Sequence, residues 1–207
     1  GWISLRDLSD ELCKDREVVC AAVAAEGWNL EFASPELQAD REVVKLAIAN
    51  DAMALEFASA ALRDEVEVVM AAVRKNGWAL SFASEGARGN FELALAAVRS
   101  NPLALQFASE DLRRHPMVVS CAVQAKGVAL QFAADPLKHD QKIVMLAVKS
   151  NASAITLASS DLQQDRKFVR RAVEANPLTL KFAPKRLRRD QGLVFLKRAK
   201  QNHAKVH

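Results

Sequence analysis

The stretch Asp40-Arg41-Glu42-Val43-Val44-Lys45-Leu46-Ala47-Ile48-Ala49-Asn50 decides how the rest of the chain is read. Val43, Val44, Ala47 and Ile48 follow the i, i+1, i+4, i+5 pattern, which puts them on one face of an α-helix. Asp40 stands where an N-cap oxygen is wanted, and Glu42 adds negative charge to the first turn, where the helix dipole favours it. Asp15, Asn90, Asp140, Asp165 and Asp190 hold the same cap place, with Glu65 and His115 as exceptions.

On either side the pattern returns every 25 residues. One register is Ala22, Ala47, Ala72, Ala97, Ala122, Ala147 and Ala172. Another is Phe32, Phe57, Phe82, Phe107, Phe132, Leu157 and Phe182. Val23, Ile48, Val73 and their successors form a third, and Leu30, Leu55, Leu80 and theirs a fourth. A fixed period of this length marks a solenoid, a propeller or an array. Between the long helices lies a second segment, Asn101-Pro102-Leu103-Ala104-Leu105-Gln106-Phe107-Ala108-Ser109 in one repeat. Asn is a good N-cap and Pro is favoured at the first helical position, so this reads as a shorter helix of about seven residues. Ser34-Pro35-Glu36-Leu37 then reads as a capped turn whose Leu reaches back to the core, a place held by Leu62, Leu112, Leu137, Leu162 and Leu187, with Ala87 departing. Neither helix is stable alone in water, so the apolar stripes must be buried against neighbouring repeats.

The expected fold is therefore all-α, a right-handed α-solenoid of about seven two-helix repeats spanning very roughly 70 Å; the alternative is a compact irregular helical bundle. The period never breaks, so residues 1–207 read as a single helical-repeat domain. Residues 1–14 are a partial first repeat, and 190–207 a cap helix with a basic tail that loses the Ala register at Lys197. Both ends read as caps or as the marks of truncation. The start, Gly1-Trp2-Ile3, lacks both Met and a signal pattern, as expected of a fragment or a processed product.

The combination of Asp-Arg-Glu-Val-Val (15–19 and 40–44), Ala-Ala-Val (71–73), Asn-Gly-Trp-Ala-Leu (76–80) and Phe-Ala-Ser (82–84) resembles the helical repeats catalogued as domain of unknown function 4116. The resemblance covers about residues 10–195. It implies a helical fold that occurs in arrays and transfers no catalytic residue. The sixth repeat departs most, with Ser153 where others carry Trp and Leu157 where others carry Phe, so its packing is expected to be the least regular.

Half of the residues are hydrophobic and 26% are charged, the balance of a soluble globular chain. No apolar run is long enough to span a membrane. Cys13, Cys20 and Cys121 are odd in number and unpaired in spacing, so no disulfide framework is expected; buried thiols at 20 and 121 favour a reducing intracellular compartment. No phosphate loop, Cys-x-x-Cys or His-Glu-x-x-His pattern occurs. His115 and His139 read as cap and turn residues, and His203 and His207 lie in the tail. We therefore expect no catalytic residue, no metal site and no cofactor. Trp28 and Trp78 share a register with Met53, Leu103, Val128 and Leu178, and a mixed apolar register reads as core; Trp2 stands outside it.

One register is polar throughout: Glu31, Glu56, Ser81, Gln106, Gln131, Thr156 and Lys181. In a solenoid such positions align as a ladder on one face, where a protein or peptide partner could lie. Charge follows the chain as well. Residues 1–65 carry 6 basic and 14 acidic side chains, residues 66–180 carry 14 and 10, and residues 181–207 carry 9 and 1. The strongest cluster is Lys181, Lys185, Arg186, Arg188 and Arg189, followed by Lys197, Arg198, Lys200 and Lys205. The first expectation is thus a non-enzymatic protein- or peptide-binding scaffold, a segment of a longer array or an accessory subunit. The second is an anion-binding module that uses the basic end on nucleic acid or acidic membrane; the lack of interleaved aromatics disfavours nucleic acid. The gradient also permits head-to-tail self-association. If the Ala register marks close helix contact, Ala97→Leu costs about 1–3 kcal/mol by overpacking; an unchanged melting midpoint would remove this register from the contact.

Overall fold

The computed structural model describes residues 4–203. Trp2, Lys205 and His207 lie outside the described residues, as does the side chain of His203. Among the described residues every regular element is helical and none is a strand, so the all-α repeat fold expected from the periodicity holds. The chain forms two compact units, one running to Ser109 and the other from Glu110.

Each repeat contains three helical pieces rather than two. The first is the ten-residue α-helix expected from the stripe, as in Arg41–Asn50, Val66–Lys75, Phe91–Ser100 and Gln141–Ser150. Asp15, Asp40, Asn90, Asp140 and Asp165 cap these helices through side-chain oxygens, and Glu65 takes the cap place without such a bond. The second piece is a six-residue 3₁₀ helix, as in Gly77–Phe82 and Pro102–Phe107, not a short α-helix. The reason is length: an i→i+3 ladder closes its first bond sooner and suits so short a run. The buried residues Gly77, Leu80 and Ala83 are correspondingly three apart. The third piece is a single α-helical turn, such as Ala60–Asp64 or Asp135–Lys138, where a capped turn was expected. Its Leu is buried in each case, and Ala87 takes the same buried place.

Within each unit consecutive long helices pack on one another, consecutive 3₁₀ helices pack on one another, and 3₁₀ helices also meet the following long helix, with Ala152–Leu157 as the exception. The core lies between the two rows. Ala47, Ala72, Ala97, Ala122, Ala147 and Ala172 are fully buried, as are Leu55, Leu80, Leu105 and Leu130. The sixth repeat keeps its elements despite Ser153 and Leu157, since Ala152–Leu157 is again a six-residue 3₁₀ helix with Ala154 and Ile155 buried. Its packing is less regular, because it lacks the close seat on the following long helix that Gly27–Phe32, Ala52–Phe57, Gly77–Phe82 and Gly127–Phe132 have.

Two contacts set the spacing between repeats. One is a backbone bond across 21 residues: Ser59 N–H to Gln38 O and Ser84 N–H to Arg63 O in the first unit, Ser159 N–H to Lys138 O in the second, all 2.9 Å. Pro184 takes this place in the last repeat and has no N–H to give. The other is the approach of Gly27, Gly77 and Gly127 to the next long helix. A Cβ on Gly27 would lie 2.5 Å from Ala47 O, and one on Gly77 or Gly127 would lie closer still to Ala97 O or Ala147 O. The same three glycines donate their N–H groups to Asn50 Oδ1 (2.9 Å), Ser100 Oγ (3.0 Å) and Ser150 Oγ (3.1 Å). Both sets are 50 residues apart, so a double repeat is superimposed on the 25-residue one.

Two readings need correction. Cys20 and Cys121 are half-buried free thiols rather than core residues, because they sit just outside the buried stripe of their helices. The Trp register is not core either: Trp28 is 38% and Leu178 56% exposed, and the remaining members are half-buried. In a 3₁₀ helix residues i and i+3 eclipse, so this register shares its outward edge with the polar ladder. Trp78 packs edge-on against Phe107 at 5.3 Å and Trp28 against Phe32 at 5.8 Å.

Gly77→Ala forces a methyl against a backbone carbonyl and is expected to cost about 1–3 kcal/mol. Gly192→Ala meets only the movable Arg166 and Asp190 side chains and gains helix propensity, so it is expected to be neutral or stabilising. Urea denaturation of the two variants checks the contrast; equal midpoints would sink it.

Candidate anion-binding cleft

The polar ladder lies on the 3₁₀ helices. Glu31, Glu56, Gln131, Thr156 and Lys181 are exposed, while Ser81 and Gln106 are half-buried. Three members turn back on their own repeat. Ser81 Oγ donates to Trp78 O (2.8 Å), Gln106 Nε2 to Leu103 O (3.1 Å) and Thr156 Oγ1 to Ser153 O (2.8 Å). Each of these side chains bonds to the carbonyl three residues before it on the same 3₁₀ helix.

Lys181 is different. With Arg188, Lys197 and Arg198 it lines a cleft of about 430 Å³ at the last repeat, floored by Leu180 and Val194. Each cation arrives by a definite route. Lys197 and Arg198 stand in the registers that hold Ala172 and Val173 one repeat earlier, positions buried elsewhere. On the Gln191–His203 helix Lys197 is instead half-buried and Arg198 exposed. Arg188 ends the Lys185–Arg188 turn. Its register holds Gln38 and Gln163 in other repeats, whose Nε2 groups donate to carbonyls of the 3₁₀ helix or its C-cap at 2.8–3.1 Å. Lys181 Nζ lies 5.9 Å from the centre of the Phe182 ring. Among the described residues no carboxylate pairs with any of the four.

Of the basic cluster read from sequence, the cleft takes in Lys181, Arg188, Lys197 and Arg198 and leaves out Lys185, Arg186, Arg189 and Lys200. Arg186 Nη2 is directed to Gln164 O at 3.4 Å. His115 takes the N-cap place of the Pro116–Ala125 helix without a side-chain cap bond, and His139 is the exposed C-cap of Asp135–Lys138. No group of three metal-ligating side chains comes together among the described residues.

The helix that carries Lys197 and Arg198 is fixed at its start by Asp190. Arg166 Nε donates to Asp190 Oδ2 (2.7 Å) and Nη2 to Oδ1 (3.1 Å), and Oδ1 also accepts Leu193 N–H (3.1 Å). These bonds, Arg166 first, lower the Asp190 pKa from 3.8 to about 2. The same staple joins Arg16 to Asp40, which lowers the Asp40 pKa, and Arg41 to Glu65 and Glu67. Sequence reasoning missed it, although the recurring Asp-Arg pair at 15–16, 40–41 and 165–166 carried the signal.

A family model described as Domain of unknown function (DUF4116) matches residues 2–38, 40–86, 90–138, 118–163 and 140–188. Three of these matches begin at 40, 90 and 140, in step with the double repeat marked by the glycines. No curated protein and no solved structure matches the chain.

The Asp190 carboxylate has a folded pKa below its unfolded one, so its stabilising effect is full above about pH 3.8 and is lost as pH falls through about 2. The stability difference between the protein and Asp190→Asn is therefore expected to shrink to nothing across that window. Carboxyl chemical shifts titrated alongside check the assignment; an Asp190 midpoint at or above 3.8 would contradict it.

Proposed function

We propose that this chain, which belongs to the family described as Domain of unknown function (DUF4116), is a non-enzymatic repeat scaffold that binds an acidic segment of a partner protein in the cleft of Lys181, Arg188, Lys197 and Arg198. The observation that carries this reading is four cations around one cleft with no carboxylate in its lining. Like charges gathered in one place repel, and an anionic partner relieves that repulsion while gaining charge-assisted hydrogen bonds from the guanidinium groups. The floor of Leu180 and Val194 favours a protein segment over a nucleic acid, because bases stack on aromatic rings and an aliphatic floor offers none. Against an enzymatic role stands the use of the acidic residues: Asp15, Asp40, Asp140 and Asp165 cap helices. Of the polar ladder, Lys181 is the member assigned to this site.

A fluorescent poly-glutamate peptide titrated onto the full chain tests this reading. Binding is expected at low salt, weakening as salt screens the charges, and abolished by Lys197→Glu with Arg198→Glu. Absence of binding at low salt refutes it. Tighter binding of single-stranded DNA or of phosphatidylserine vesicles than of the peptide assigns the cleft to those anions instead.

A further inference from the structure

We propose a second, separate binding surface in the unit that begins at Glu110: the groove between the Gln141–Ser150 and Arg166–Ala175 helices accepts an acidic amphipathic helix of a partner protein. The groove is about 460 Å³ and is lined by Gln141, Lys142, Met145, Leu146, Lys149 and Arg171. Ile143, Val144, Ala147 and Val148 form the buried stripe of the first helix. Lys142, Met145, Leu146 and Lys149 stand at i, i+3, i+4 and i+7, which is one face directed away from that stripe. The face has an apolar centre, Met145 and Leu146, each half-buried, between two exposed cations.

The rim across the groove is preorganised. Arg171 Nη2 donates to Gln141 Oε1 at 2.5 Å, and its guanidinium carbon lies 5.7 Å from the centre of the Phe168 ring. A side chain already held in place loses less freedom when a partner arrives. Charge selects the partner. The two helices carry one carboxylate, Glu174, which pairs with Arg170, while Arg166 pairs with Asp190. Lys142, Lys149, Lys167 and Arg171 face solvent with no carboxylate partner among the described residues. Lys142 and Lys149 are seven residues apart, about 10 Å along the axis, so carboxylates one heptad apart on a helix laid along the groove meet both.

The unit that ends at Ser109 holds an internal comparison. Its groove between Val66–Lys75 and Phe91–Ser100 is about 370 Å³ and uses the same registers: Met70 for Met145, Arg74 for Lys149, Ala96 for Arg171. There Glu92 stands where Lys167 stands in the second unit, and it lines the groove. The two grooves share their position in the repeat but not their charge, so an acidic helix distinguishes them.

The test uses the full chain and a labelled synthetic peptide with Leu on one helical face and Glu flanking it, against a scrambled peptide of equal composition. The patterned peptide is expected to bind about tenfold or more tightly than the scrambled one. Leu146→Glu and Lys149→Glu each weaken it by about tenfold. Lys149 is exposed, so an unchanged melting midpoint for Lys149→Glu separates lost binding from lost folding. The two peptides are compared in the Lys197→Glu, Arg198→Glu background, which removes the cleft as a competing site, and there Arg74→Glu with Arg99→Glu leaves binding unchanged. Equal binding of the two peptides in that background overturns the groove; failure of poly-glutamate in the cleft leaves it standing.

Discussion

Of the two contacts that set the spacing between repeats, the tighter is the seating of a 3₁₀ helix against the second half of the next long helix. Where the seat is tightest, Gly27, Gly77 and Gly127 lie directly on the carbonyls of Ala47, Ala97 and Ala147. The Ala register and the glycines are two sides of this one constraint. A larger residue on either side would separate the rows and open the core that neither short helix can close alone. The hydrogen bonds to Asn50, Ser100 and Ser150 satisfy the glycine N–H groups at the same place. Bonds such as Ser84 N–H to Arg63 O hold the far side of the repeat, and Arg16–Asp40 and Arg166–Asp190 tie neighbouring helix starts.

A stack held in this way constrains only the registers that take part in it. The remaining positions are free to change charge without altering the spacing. The groove registers show the consequence. Position 92 is Glu and its equivalent 167 is Lys, position 96 is Ala and its equivalent 171 is Arg, yet both units keep a groove between the same pair of helix faces. Identity of fold and difference of surface coexist because the groove faces lie outside the buried stripe.

The parts legible from sequence were those that repeat in residue type. The Asp and Asn caps, the buried Ala register and the Leu of the third piece were read at their correct positions. The 3₁₀ helix was not, because a six-residue apolar stretch does not distinguish periods of 3.0 and 3.6. That ambiguity put Trp28 and Leu178 in the core when they share an edge with the exposed ladder. The double repeat was legible but overlooked: three of the chain's seven glycines fall at 27, 77 and 127. The ladder was found as a row, yet Ser81, Gln106 and Thr156 turn to their own backbone, an orientation no pattern of polarity reveals. The cleft was half legible. Its cations stood out as a cluster, but which of them converge depends on where helix and turn place each one.

Lys197 and Arg198 show how the last repeat departs from the rest. They follow the frame of Ala172 and Val173, so the helix is in register, but it presents ammonium and guanidinium groups where its predecessors present a methyl and an isopropyl group. A buried cation without a partner is costly, so this replacement is tolerated only where the side chains keep access to solvent, as both do. Asp190 anchors the start of that helix while Arg166 neutralises it, which leaves the field around Lys181, Arg188, Lys197 and Arg198 uncompensated. The groove lined by Lys142, Lys149 and Arg171 adds a field of the same sign. If the proposed sites hold, both attract acidic partners over distances of a Debye length. At contact they differ, since the groove offers Met145 and Leu146 to an apolar face and the cleft sets four cations around its floor. On the proposed reading, long-range charge governs the rate of encounter with an acidic partner, and short-range shape decides which of the two proposed surfaces it occupies.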